Sequence, residues 1–145
     1  MQEVLTEKLH QYIKGNSPDL LITLQQERSI SHYLEEKVAA IDPLLNELLA
    51  ANTPAYLIEE RCMDELTKEL RPSKFNYLTS ILEEEFEADY YRLKENGILT
   101  YEIINLIEVC KPVFETFGFS EENESDMHLH YAITGAIMEY LEKKQ

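Results

Sequence analysis

The side chains able to bind a metal or attack a bond are few in this chain and poorly spaced for either task. Glu7-Lys-Leu-His10 has the Glu-x-x-His spacing that sets a carboxylate and an imidazole on one helix face. A carboxylate-bridged metal pair in a helical bundle needs two such elements and further inward Glu, because each metal must gain a nitrogen and bridging oxygens from facing helices. Only this one element is present, so it reads as a solvated helix face. His128 and His130 lie about 200° apart around a helix and cannot share an ion. Asp126 and His130 do share a face but supply only two ligands. No metal and no cofactor is expected. Cys62 and Cys110 lack the close pairing of a zinc site or redox dithiol. They fall in the apolar series Ile58, Cys62, Leu66, Leu70 and Ile103, Ile107, Cys110, Phe114, and read as buried thiols that pack like small hydrophobes. There is no Gly-x-Ser-x-Gly turn and no glycine-rich phosphate loop. The chain is therefore expected not to be an enzyme, with dispersed carboxylates as the one residual catalytic route.

Charge and aromatic residues point elsewhere. Thirteen Lys and Arg against 28 Asp and Glu leave a formal charge of -15, so the surrounding field repels phosphate backbones and anionic lipid. Direct binding to nucleic acid is not expected. The run Glu83-Glu-Glu-Phe-Glu-Ala-Asp89, with Glu121, Glu122, Glu124 and Asp126, is the strongest charge feature. It reads first as a solvated face and loop, and second as a surface imitating a phosphate backbone. Tyr90, Tyr91 and Tyr101 cannot all be buried on one face, and Phe117 and Phe119 fall near the same corner. Glu83, Glu84, Glu87, Tyr90, Tyr91, Tyr101 and Phe119 are accordingly the candidate partner contacts, since aromatic rings with polar tips are common interface anchors.

The elements that must carry these residues are helical. Apolar positions recur at three- and four-residue spacing almost from end to end. The pattern predicts a first helix over 2–14, with Leu5, Leu9, Tyr12 and Ile13 inward, stopped by a left-handed Gly15 and followed by a turn over 15–19. A weakly patterned stretch leads to a second helix over 29–51 with the series Ile30, Leu34, Val38, Ile41, Leu45 and Leu48. Pro43 is expected to kink it, because the series runs through the proline almost in phase. A third helix begins at Thr53-Pro54 and runs to Leu70. The fourth, over 74–95, is capped by Ser73 and ended by Gly97. The fifth, 100–117, is capped by Thr100, carries another candidate kink at Pro112, and is closed by Gly118. After an acidic loop over 120–125, the sixth helix spans 126–143, and its interior Gly135 suggests a close helix crossing. These stripes stabilise helices only by packing together. The expected fold is all-α, a single domain over 1–145 forming an irregular orthogonal or up-down bundle of five to six helices.

Pro72-Ser-Lys-Phe-Asn-Tyr-Leu, Ile81-Leu-Glu-Glu-Glu-Phe, Cys110-Lys-Pro-Val-Phe and Ala136-Ile-Met-Glu-Tyr-Leu resemble segments of an uncharacterised family of small all-helical bacterial proteins from Bacteroidetes, a domain of unknown function. The resemblance covers the chain from Tyr33 onward. It implies an all-helical fold and carries no catalytic or binding residues with it.

The leading expectation is a cytoplasmic, non-enzymatic protein-interaction module that meets an unidentified protein partner or a second copy of itself. The alternatives are an acidic DNA mimic or inhibitor of a nucleic-acid-binding protein, and a carboxylate-based enzyme. The start of the chain lacks the basic and apolar runs of a secretory signal, and no stretch approaches the roughly 18 apolar residues of a membrane span.

Overall fold

The computed structural model describes residues 1–27 and 29–144. Among them the regular elements are helical, and their contacts divide the chain into two compact units, Met1–Arg71 and Pro72–Gln145.

The first unit contains α1 (Gln2–Asn16), α2 (Pro18–Gln26), α3 (Ile30–Ala40), α4 (Asp42–Ala50) and α5 (Ala55–Thr67), with a 3-10 turn at Lys68–Leu70. Helix α1 packs on α2, α3 and α5, while α4 lies against α3 and α5. Leu5, Leu9 and Ile13 of α1 meet Leu34 and Val38 of α3, Leu45 and Leu48 of α4, and Ile58, Cys62 and Leu66 of α5 in one core. The second unit contains α6 (Lys74–Glu85), α7 (Glu87–Glu95), α8 (Leu99–Val109), α9 (Lys111–Phe117) and α10 (Met127–Lys143). Helix α6 packs on α7, α8 and α10, and α10 also covers α8 and α9. Their core joins Leu78, Leu82, Leu93, Ile103, Leu106, Phe114, Leu129, Ile133 and Ile137.

The five-to-six-helix bundle, orthogonal or up-down, is not what forms: ten short α-helices occur among the described residues. Three of the extra boundaries are one-residue interruptions. Pro43 does not kink a continuous helix, because α3 ends at Ala40 and Pro43 is the second residue of α4. Proline has no N–H to give and its ring crowds the carbonyl four residues back, so the chain leaves helical geometry at Ile41 (φ -96, ψ 5) and restarts. Pro112 does the same to 100–117 after Cys110. The third break, at Phe86 (φ -135, ψ 51), has neither proline nor glycine. It places Glu87 and Asp89 in the first turn of α7, where the helix dipole favours carboxylates. The backbone stays satisfied, since Phe86 N–H donates to the Leu82 carbonyl and Tyr90 N–H to that of Phe86, each at 2.9 Å.

Two helix starts and stops also move. Thr100 lies inside α8, whose cap position is Ile98. Gly15 does not end α1, which runs on to Asn16, and the expected turn over 15–19 reduces to Ser17, with Pro18 opening the unanticipated α2. Gly15 has no positive φ, and a Cβ built on it meets nothing within 4 Å. Gly15→Ala is therefore expected to stabilise the protein by about 0.5–1 kcal/mol, because alanine loses less backbone entropy in a helix. A thermal midpoint that stays put or falls would contradict this.

The stops at Gly97 and Gly118 form where expected, with φ +72 and +62. Each closes a pair of bonds around the left-handed residue. Ile98 N–H donates to Leu93 O at 3.0 Å and Gly97 N–H to Lys94 O at 3.1 Å. Phe119 N–H donates to Phe114 O at 3.1 Å, and Gly118 N–H to Glu115 O at 3.3 Å. Ser73 caps α6 by accepting from Asn76 N–H at 3.0 Å, and Asp126 caps α10 by accepting from Leu129 N–H at 3.0 Å.

Candidate interaction surface

Six of the seven candidate contacts lie on α6, α7 and α8 and Phe119 follows α9, and the structure sorts them by burial. Glu83 and Glu84 close α6 and Glu87 opens α7, all three exposed. Tyr91 is 46% and Tyr101 63% exposed, with Ile98 at 40% between them in the connection from α7 to α8. Glu87 and Tyr91 are four residues apart on α7 and so share one face.

Tyr90 and Phe119 are the less exposed members of the set. Tyr90 is 8% exposed and belongs to the core of its unit, its ring edge-on to Tyr91 at 5.1 Å. Phe119 is half-buried against Phe114, 4.8 Å between ring centres, and against Tyr77 at 5.0 Å. The left-handed turn at Gly118 folds Phe119 back over Phe114, the apolar contact that accompanies this kind of helix stop. Asn123 holds the following acidic loop by donating to the Phe117 carbonyl at 2.8 Å and accepting from Ser120 N–H at 2.8 Å.

Tyr77 sits at the centre of this aromatic group with its hydroxyl buried and without a hydrogen-bond partner among the described residues. Burial, with the Asp126 carboxylate nearby, pushes its pKa up to about 12. An unsatisfied buried hydroxyl costs about 1–3 kcal/mol, so Tyr77→Phe is expected to leave stability unchanged or raise it by about 1 kcal/mol. A clear loss in urea midpoint would reveal a partner for the hydroxyl.

The two cysteines lie in the cores of the two units. Cys62 and Cys110 are both free and fully buried, and burial pushes their thiols up, Cys110 to about 11. Both groups are held in the neutral form, which is not the nucleophile. His130 lies 3.3 Å from Glu85. Among the described residues no group of three or more His, Cys, Asp or Glu side chains is arranged to hold a metal ion. At the end of α10, Glu102 accepts from the Tyr140 hydroxyl at 2.7 Å and from Lys144 Nζ at 3.1 Å. Burial, then the Glu102 bond, raises the Tyr140 pKa, and the same carboxylate raises that of Lys144.

Two features escaped the sequence reading. An open cleft of about 590 Å³ in the first unit is lined by Tyr12, Arg61, Asp64, Thr67 and Arg71 among others. It is knit by its own groups: Arg71 donates to Asp64 at 2.9 Å, and the Thr67 hydroxyl to Met63 O at 2.8 Å. The second feature is an outward stripe on α10, formed by Met127 (62% exposed), Tyr131 (60%) and Met138 (49%). Its four- and seven-residue spacing was legible, but the stronger stripe of Leu129, Ile133, Ile137 and Leu141 on the other side accounted for the helix by itself. No described helix is long and apolar enough to cross a membrane.

Neither the comparison with curated proteins nor that with solved structures returned a match. The match to a family model is extensive. It covers residues 5–145, nearly the whole of both units, and on that match the chain belongs to the family described as Domain of unknown function (DUF1896).

Proposed function

We propose that this chain is a non-enzymatic protein-interaction module of the bacterial cytoplasm, which docks a partner segment carrying basic residues on the α6–α8 surface. The observation that carries the proposal is the exposure of Tyr91, Ile98 and Tyr101 on α7, the connection after it and α8, together with the exposed carboxylates of Glu83, Glu84 and Glu87 where α6 passes into α7. Tyrosine supplies a large contact area with few torsions to freeze, and the surrounding acids select a positively charged partner and speed its approach.

The test is affinity purification of the tagged chain from its native cells, in parallel with Tyr91→Ala/Tyr101→Ala and Glu83→Lys/Glu87→Lys variants. These positions are exposed, so each variant is expected to keep the parent's helical dichroism within error. The expected result is a reproducible basic partner lost from both variants. Identical partner sets from all three chains would overturn the site. A partner displaced by added duplex DNA would redirect the proposal to the mimicry of a phosphate backbone.

A further inference from the structure

The two units repeat one arrangement of five helices. Helix α1 packs on α2, α3 and α5 as α6 packs on α7, α8 and α10. Likewise α2 meets α3 as α7 meets α8, α3 meets α4 as α8 meets α9, and α4 meets α5 as α9 meets α10. A shift of 69 residues carries Ser17 onto Phe86, Ile41 onto Cys110 and Pro43 onto Pro112, so both one-residue interruptions recur. Ser17 and Phe86 share a backbone conformation, φ -143, ψ 57 against φ -135, ψ 51. The same shift pairs buried Leu9 with Leu78, Ile13 with Leu82, Leu34 with Ile103 and Leu45 with Phe114. The fifth helices correspond after a shift of 71, the acidic loop being longer, which pairs Ile58 with Leu129 and Cys62 with Ile133. In that register Gly135 corresponds to Asp64, exposed like it, and marks no close helix crossing, since a Cβ there would meet nothing within 4 Å. Equal register on equal helices sets equal side-chain direction, so each unit shows what the other holds at a given place.

Between their first and third helices, one unit is filled where the other is open. The second unit carries Phe75, Ile104 and Ile107 where the first carries Thr6, Glu35 and Val38. Phe75 and Ile107 pack, partly buried, against the core of the second unit. In the first unit the corresponding places line a groove of about 450 Å³ between α1 and α3, formed by Thr6, Val38 and Ala39 with Glu3, Glu7 and Glu35. All three carboxylates are exposed. Glu7 accepts from Gln11, a neutral group of its own helix. The nearby lysines are engaged elsewhere, Lys8 with Glu59 at 2.7 Å and Lys37 with Glu69 at 3.2 Å.

We infer that this groove binds a partner segment in which a phenylalanine is flanked by lysine or arginine. The ring takes the space that Phe75 and Ile107 supply in the second unit, and the flanking charges meet Glu3, Glu7 and Glu35. A concave site with an apolar lining and a few convergent polar groups suits a ligand of side-chain size, and the carboxylates select its charge. None of the α6–α8 residues takes part, so this site does not depend on that proposal.

Amide shifts of the isotope-labelled full chain, titrated with end-capped Lys-Lys-Phe-Lys-Lys and Lys-Lys-Ala-Lys-Lys, test it. The phenylalanine peptide is expected to move signals of Thr6, Val38 and Ala39 first, with a Kd of about 0.1–1 mM that weakens as salt is added. Without the ring to bury, the alanine peptide is expected to bind roughly tenfold more weakly or worse. Thr6→Phe gives the first unit the ring that Phe75 gives the second. It removes only an exposed bond from the Thr6 hydroxyl to the Gln2 carbonyl, of a kind that adds little to a helix. This variant is expected to melt at a higher temperature than the parent and to bind neither peptide. Glu3→Gln/Glu7→Gln/Glu35→Gln is expected to keep the helical dichroism and lose the phenylalanine peptide. A Thr6→Phe chain that melts earlier, or that still binds, overturns the inference. So do equal affinities for the two peptides, or shifts spread over the acidic surface at large. Tyr91→Ala/Tyr101→Ala is expected to bind the peptide as the parent does, which separates failure here from failure of the α6–α8 surface.

Discussion

Replacing Phe114 with alanine is expected to lower the unfolding free energy by about 3–5 kcal/mol, the range for emptying a buried phenylalanine site. Phe114 is 2% exposed and lies between Tyr77 and Phe119, with ring centres 5.9 and 4.8 Å away. Lys74 Nζ stands 5.4 Å from its ring centre. Truncation leaves a cavity that these rings cannot close, because Tyr77 is anchored on α6 and Phe119 on the turn after α9. It also removes the apolar half of the Gly118 stop, so the end of α9 loosens together with the core. Domains of ordinary size are stable by only about 5–15 kcal/mol, so the loss brings the second unit near or past its threshold. Urea unfolding followed by dichroism and tyrosine emission measures it, with Tyr101→Ala as the exposed control that is expected to shift stability by less than about 0.5 kcal/mol. A Phe114→Ala loss below about 1 kcal/mol would mean that the aromatic group repacks, contrary to the close fit described above.

Alkali should unfold this protein earlier than its carboxylate-rich surface would suggest, and Cys110 is the main reason. Burial raises its thiol from 9.0 to about 11. The folded state therefore binds the proton more tightly than the unfolded state does. The resulting stability is fully present below about pH 9 and is lost progressively as pH rises towards 11. A difference of about two pH units corresponds to roughly 3 kcal/mol. Tyr77, pushed up to about 12, acts in the same direction over a higher window, and Cys62 is shifted the same way. Cys110→Ala should cost on the order of 1 kcal/mol at neutral pH through the lost sulfur contacts. Above about pH 9 the variant should lose stability more slowly than the parent, so the two curves converge. Parallel curves across that window would show that Cys110 does not titrate in the unfolding step.

The sequence alone was enough for the helical class and the inward series, and for the reason that both are written in local spacing. Of the series from Ile30 to Leu48, Leu34, Val38, Ile41, Leu45 and Leu48 are buried and Ile30 is partly buried against the same core, since one apolar side per turn is a property of the backbone period. The caps at Ser73 and Asp126 and the stops at Gly97 and Gly118 are local for the same reason: each satisfies groups within one helical turn. Only the tertiary structure decided where long periodic runs divide. An interruption of one residue at Ile41, Phe86 or Cys110 ends one helix and begins the next without moving the next apolar residue out of phase, so spacing cannot register it. The fate of the aromatic residues was likewise decided in three dimensions. Tyr90 joins the core and Phe119 packs partly buried on Phe114 and Tyr77, while Tyr91 and Tyr101 remain outside. Which side of α10 faces the core is set by packing, because Met127, Tyr131 and Met138 form a second apolar stripe and a helix of one unit can bury only the side its neighbours cover.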